Sequence, residues 1–442
     1  MPRPTTLSTG TAGAATTTPS RRVLIAGTIG NFVEWFDIGI YGTLSSVIAA
    51  NFFADGDPTS AILSTFAIFA VGFAIRPLGA LYFGPLADRI GRNRVLAITV
   101  IVTSLATFAI GVLPTYASIG ALAPILLVVA RLVQGFAAGG ETSSSVGLLF
   151  EYAPRNRRGF YTSFGASIGF VAFVAGAGLA LILTLVFGDD QLTEFAWRIP
   201  FLIALPLGIA GLYLRMRLDD TPEFIRLERS GEVAASPLRE TFRTGRRAML
   251  ILGGVIVLKG VAHWVLQTYM VSHLSRTLHF SAAEAFTAST ICMAVVAVVI
   301  PVAGLLSDKV GRKPVMILGA AGLIVLAWPA LALMTLGNAM LAVLAMVALG
   351  LPLAAYDGAV NASMAELFPS RIRTGAIAIP YNIVVSLLGG TAPYIAAWLT
   401  AASGYTPAPA FYLMFAAAIT VTTVTVWVKE TTGPKAEVDV TA

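Results

Sequence analysis

Two acids interrupt an apolar run, Glu34 and Asp37 in GNFVEWFDIGIYG at positions 30 to 42. An ionised side chain at the centre of a membrane helix costs about 2.5 to 3.5 kcal/mol or more, so such residues face a cavity or serve a function. With Tyr41 they fall at i, i+3 and i+7, one face of a helix. A later run places Arg131, Gln134, Ala138 and Glu141 at the same kind of step. A carboxylate beside a guanidinium stays ionised; drawn away from it, burial favours the protonated acid. Asp37 with Arg131 therefore forms a candidate proton switch, or else a permanent structural bridge. Glu34 and Glu141 are alternative proton sites, and four such groups titrate as a coupled set.

A third set lies in the second half. Lys259, His263 and Gln267 recur every four residues, Asp357 follows Tyr356, and Tyr381 precedes Asn382. Two cationic groups in a cavity attract the carboxylate of a solute, and Asp357 then balances them or meets an amine. The other reading is a Lys259–Asp357 pair that joins two helices. Arg76, before Pro77, is either a helix-terminus tie or a substrate contact, whereas Arg198 beside Trp197 reads as an interfacial anchor. Trp35, Trp264, Tyr269 and Tyr381 can box a quaternary ammonium by cation–π attraction, or simply pack.

The elements that hold these groups are membrane helices. The chain is 57% hydrophobic and only 12% charged, with a mean hydropathy of +0.81, whereas soluble domains are about 25% charged. Lipid satisfies no open backbone group, so the spans are helical. Apolar runs long enough to cross a bilayer predict twelve spans, at 23–50, 60–86, 95–113, 120–150, 160–187, 197–216, 248–275, 281–306, 314–336, 338–366, 373–400 and 407–429. An even number puts both termini on one side. The basic loops, such as RIGRNR at 89 to 94 and KVGRK at 309 to 313, place that side in the cytoplasm. The net charge of +6 is thus a topology signal and not a nucleic-acid surface.

Several chemistries are excluded. One cysteine, Cys292, allows no internal disulfide, and the three histidines lack metal-site spacing. No phosphate-binding G-x-x-x-x-G-K loop is present, so ATP is not the energy source. No nucleophile, base and orienting residue form a set, and no cofactor motif occurs, which argues against an enzyme.

The chain also repeats itself. GPLADRIGRNR from Gly84 returns as GLLSDKVGRKP from Gly304, about half the chain later, and EYAPRNRRG from Glu151 returns as ELFPSRIRTG from Glu366. The expected layout is a tail at 1–20, a six-helix bundle at 21–216, a cytoplasmic linker at 217–247, a second bundle at 248–430 and a tail at 431–442. The repeated loop reads as a gating latch: Gly84, Asp88, Arg89, Gly91 and Arg92 in one copy, Gly304, Asp308, Gly311 and Arg312 in the other. Glycines permit close contact and tight reversal, and the aspartates can pair with arginine or cap a helix.

These paired loops, with the six-plus-six layout, resemble the major facilitator superfamily. GNFVEWFDIGIYG, FAIRPLGALYFG, RLVQGFAAGGE and AELFPSRIRTGAIAIPYNI are similar to the metabolite:proton symporters, and WRIPFLIALPLGIAGLYLR with VKETTGPK looks most like the bacterial proline/betaine transporters. The resemblance covers about residues 21 to 434. It implies an all-α integral membrane fold of twelve helices in two pseudo-symmetric six-helix bundles, with substrate near the midplane and alternating access. It also carries the proton-coupling roles onto Asp37 and Arg131.

The candidate substrate contacts are Tyr41, Arg76, Gln134, Lys259, His263, Gln267, Tyr356, Asp357, Tyr381 and Asn382. The charged set in the seventh and tenth spans departs from the family's neutral pattern. The expectation is a monomeric proton-coupled importer of a small solute in the bacterial cytoplasmic membrane, without cofactor. A proline- or betaine-like zwitterion comes first, an organic anion such as 2-oxoglutarate or citrate second, and a non-transporting osmosensor third. No heptads follow Lys429, which argues against coiled-coil osmoregulation.

Overall fold

The computed structural model describes residues 21–53, 57–90, 92–139, 149–150, 153–216, 245–368 and 373–433. Twelve helical spans run through them, and no strand is present among the described residues. The first is Arg21–Thr43, continued after a break at Leu44 by Ser45–Phe52. The second joins Pro58–Ala74 to Arg76–Ile90. The third is Arg92–Val112, the fourth Leu122–Ala138, the fifth Arg158–Gln191 and the sixth Arg198–Met216. The seventh begins as Arg246–Trp264 and ends at Thr277. Then come Ala282–Val310, Arg312–Met334 and Ala339–Glu366. The eleventh runs from Arg373 to Ser403, and Pro409–Trp427 is the twelfth.

Local sequence explains where several spans start. Asp57 accepts hydrogen bonds from the Thr59 and Ser60 backbone amides, both at 3.1 Å, and from the Ser60 hydroxyl at 2.8 Å. That satisfies donors a helix start leaves open, and these bonds, led by the Ser60 hydroxyl, hold its carboxyl below the usual range. Ser281 and Glu284 close a reciprocal capping box at the eighth span. Gly311, at φ 110°, makes the reversal into the ninth, a conformation that side chains disfavour.

The fifth span packs against the first, eighth and tenth, while the sixth lies on the third and the ninth on the tenth and twelfth. The interface between the two six-helix halves is therefore centred on the fifth and eighth. The halves also meet at the end opposite the repeated loops, where Arg276 donates to the Ser46 carbonyl at 2.9 Å.

The fourth span is helical over Leu122–Ala138 and again at residues 149–150, and Glu141 lies outside the described residues. Arg198, expected as an interfacial anchor, follows Trp197, which is fully buried among Phe52 and Phe201. Arg198 instead donates to the Gly111 and Leu113 carbonyls at 2.8 and 2.7 Å. It thereby closes the carbonyl-rich end of the third span.

Candidate functional site

Glu34 and Arg76, from the first and second spans, form an ion pair at 3.5 Å. Both line a central cavity of about 60 Å³, with room for several waters. Lys259 and His263 of the seventh span and Tyr381 of the eleventh line its other wall. Behind that wall, Lys259 Nζ lies 2.7 Å from Asp357 Oδ1, and His263 Nδ1 lies 3.4 Å from Asp357 Oδ2. The four-residue spacing in the seventh span thus brings an ammonium and an imidazole to a carboxylate of the tenth. Directly after His263 and Trp264 the helix widens into a π-turn over Val265–Tyr269, a distortion frequent at functional sites.

Asp37 and Arg131 are not brought together as an ion pair, which corrects the expected contact. The Arg131 guanidinium donates to Gln134 Oε1 and lies over the Tyr41 and Phe69 rings, 4.2 and 5.1 Å from their centroids. Gln134 in turn donates to Thr107 Oγ1 at 2.6 Å, and Asp37 accepts from Ser104 Oγ at 3.5 Å. The helical steps were right. Rotation of the two faces within the first half turned them toward the third span and the aromatic layer of the second.

Other expected contacts also lie off the cavity lining. Tyr41 donates to the Thr65 carbonyl at 3.0 Å, and Tyr356 to the Val255 carbonyl at 2.5 Å. Asn382 bonds Ala378 of its own helix at 3.0 Å, and Gln267 is fully buried with neither amide atom hydrogen-bonded. The four-ring cage does not assemble. Trp35 and Trp264 stack at 5.7 Å and line the cavity with Tyr381, but Tyr269 is turned away toward His273 and Thr400. Asn31 and Asn361, both lining residues, were missed. The signal was there: each is a polar residue in an apolar run, at a helical step from Glu34 and Asp357 respectively.

The second repeated loop makes a crossing contact between halves. Asp308 accepts the Gly159 and Phe160 backbone amides, at 2.8 and 2.9 Å, from the first turn of the fifth span. A carboxylate suits that end of the helix dipole. Arg312 donates to Asp308 and Ser307, both at 2.7 Å, and to Glu366 at 3.3 Å. Gly304 is required here, because an added Cβ would lie 2.7 Å from the Gly159 carbonyl oxygen. In the first copy, Gly84, Asp88, Arg89, Gly91 and Arg92 fall outside the residues whose side chains are described.

Asp308→Asn is expected to loosen this contact, since a hydrogen bond to a charged group contributes about 1.5–3 kcal/mol. In a Cys292→Ala background, a cysteine replacing buried Ser163 should then react with a permeant thiol reagent roughly tenfold faster or more, as 1.4 kcal/mol corresponds to a factor of ten. Unchanged labelling would mean the contact does not hold the halves closed.

The chain matches the family model described as Sugar (and other) transporter over residues 23–245, and the Major Facilitator Superfamily model over residues 252–441. Proline/betaine transporters of Salmonella typhimurium and Escherichia coli are 38% identical over 411 residues, which cover 90% of this chain and 81% of theirs. An ectoine/proline transporter of Corynebacterium glutamicum is 36% identical, over 90% of this chain and 82% of its own. Among solved structures, a D-xylose–proton symporter superposes with a TM-score of 0.72 at 19% identity, covering 91% of this chain and 96% of the symporter. That likeness concerns the fold. A multi-pass membrane protein and secondary transporter, with no enzymatic role, this chain belongs to the major facilitator superfamily and is related there to the proline/betaine transporters.

Proposed function

We propose that the protein is a proton-driven symporter of the bacterial cytoplasmic membrane, with both termini cytoplasmic, that imports a small zwitterion of the proline or betaine type. It works as a monomer, and its halves at 21–216 and 248–430 rock about the cavity, joined by the linker at 217–247. The observation that carries this reading is the pair of opposed ion pairs at one cavity, Glu34–Arg76 from one half and Lys259–Asp357 from the other. A solute carboxylate is drawn to Arg76 and Lys259, and its ammonium to Glu34 and the faces of Trp35 and Trp264. Because each cation already has a carboxylate beside it, the four charges cancel. A net-neutral zwitterion fits that balance better than a di- or tricarboxylate.

Purified protein in vesicles with an alkaline interior should accumulate labelled proline or betaine, and 2-oxoglutarate much less. Preferential accumulation of 2-oxoglutarate would favour the organic-anion reading instead. Binding without flux of any of the three would indicate a receptor, and neither binding nor flux would overturn both transport readings.

A further inference from the structure

His263 occupies a position that the zwitterion site alone does not use. Its ring lies between Trp35 and Phe170 of the first half, at centroid distances of 5.4 and 4.7 Å. It borders the cavity, yet it is only 4% exposed, and neither ring nitrogen has a hydrogen-bond partner. Asp357 Oδ2, 3.4 Å from Nδ1, also lacks one, while Oδ1 is held by Lys259 at 2.7 Å. A buried imidazole and a carboxylate oxygen thus face each other with a gap that one proton would close.

We propose that His263 is a proton-binding site in the second half, additional to the acids of the first span, and that its protonation makes Lys259 available to the solute carboxylate. This rests on the proton-symport reading. Among the described residues, the titratable and charged groups around the ring are Lys259 on its own span, Asp357 on the tenth, Glu34 and Arg76 on the first and second across the cavity, and Tyr381 on the eleventh.

With His263 neutral, the charges of Glu34, Arg76, Lys259 and Asp357 cancel, and Asp357 binds Lys259 alone. When a proton from the external water converts the imidazole to imidazolium, Nδ1–H donates to Asp357 Oδ2. Asp357 is then shared between two cations, the cavity carries one net positive charge, and the Lys259 ammonium turns toward an incoming carboxylate. No bond of the solute changes. Opening to the cytoplasm releases the solute, the Lys259 ammonium returns to Asp357, and the proton leaves His263 for the cytoplasmic water. Linkage requires reciprocity, so the solute must tighten proton binding by the factor that the proton tightens solute binding.

The first test needs no solute. Imidazolium quenches a neighbouring indole, so the tryptophan emission of the purified protein should fall as the pH is lowered from 8 to 5, and His263→Gln should abolish that fall. Should His263→Gln not be recovered from membranes, Trp35→Phe with Trp264→Phe removes the two indoles beside the ring and must abolish it likewise. A pH-dependent emission that survives either change overturns the proposal.

The second test uses whichever of proline, betaine and 2-oxoglutarate the wild type accumulates. That solute should move the emission midpoint to higher pH. Its apparent affinity in counterflow should improve at least about fivefold from pH 8 to pH 6, the lower end of typical coupling factors. His263→Gln should show the weaker pH 8 affinity of the wild type at every pH and lose gradient-driven accumulation, and wild-type accumulation in this variant would overturn the proposal. If the wild type accumulates none of the three, the symport reading fails, and the emission titration still decides whether His263 binds a proton.

Discussion

Asp37→Asn is expected to lose accumulation driven by a pH gradient while keeping solute exchange across the membrane, and Glu34→Gln to lose both. One proton per solute sustains about tenfold accumulation per unit of pH gradient, since tenfold corresponds to 1.4 kcal/mol. The ratio in Asp37→Asn should fall to about one. The two acids differ by position. Glu34 lines the cavity and holds Arg76 at 3.5 Å, so its loss removes a solute contact and leaves a guanidinium without that carboxylate. Asp37 is fully buried one turn later, against Ser104 of the third span, and is not among the lining residues. Its neutral isostere should therefore spare the solute's seat. Labelled-solute counterflow and gradient-driven uptake, measured on the same vesicles, separate the two phenotypes. Accumulation at the wild-type level in Asp37→Asn would remove Asp37 from the coupling path.

Lys259→Met is expected to destabilise the protein by about 3–5 kcal/mol, the usual cost of removing one partner from a buried ion pair. Asp357 is fully buried, and Lys259 is 7% exposed. Among the described residues, methionine leaves the carboxylate beside the His263 ring, which is a cation only when protonated. Lys259→Met with Asp357→Asn should recover most of that stability, because replacing both charges removes the desolvation cost along with the attraction. Thermal unfolding in detergent checks both proteins. The double variant then permits a clean measurement of solute binding. If Lys259 receives the solute carboxylate, affinity should remain at least about tenfold weaker despite normal stability, the loss of a charged hydrogen bond of about 1.5–3 kcal/mol. Full affinity would make Lys259–Asp357 a purely structural tie.

Much of the architecture is legible in the residues. Glu34 in an apolar run already demands a cavity, and the cavity is where the structure puts it. The step of four from Lys259 to His263 places both on one stripe, and both meet Asp357. The repeat of the Gly304 loop marks a contact region, and Asp308 there reaches across to the fifth span. These positions are legible because helical period and the cost of burying charge are local properties. Asp37 and Arg131 fail as a pair for the complementary reason. Each lies on a well-defined helical face, but periodicity does not say how far a helix is turned about its axis when it packs. Arg131 is turned onto Tyr41 and Gln134. Arg198 misleads similarly, since an arginine beside a tryptophan reads as an interface anchor until its partners, the Gly111 and Leu113 carbonyls, are known.

The residues alone therefore determined that the chain is helical, membrane-spanning and duplicated, and which side chains are too costly to face lipid. Those properties follow from transfer energies, helical period and internal repetition, none of which needs a neighbour. Tertiary structure decided the partners: Glu34 with Arg76, Asp357 with Lys259 and His263, Asp308 with the fifth span, and Arg131 with an aromatic layer. Those choices depend on the rotation and depth of packed helices, which side chains far apart in the chain set together.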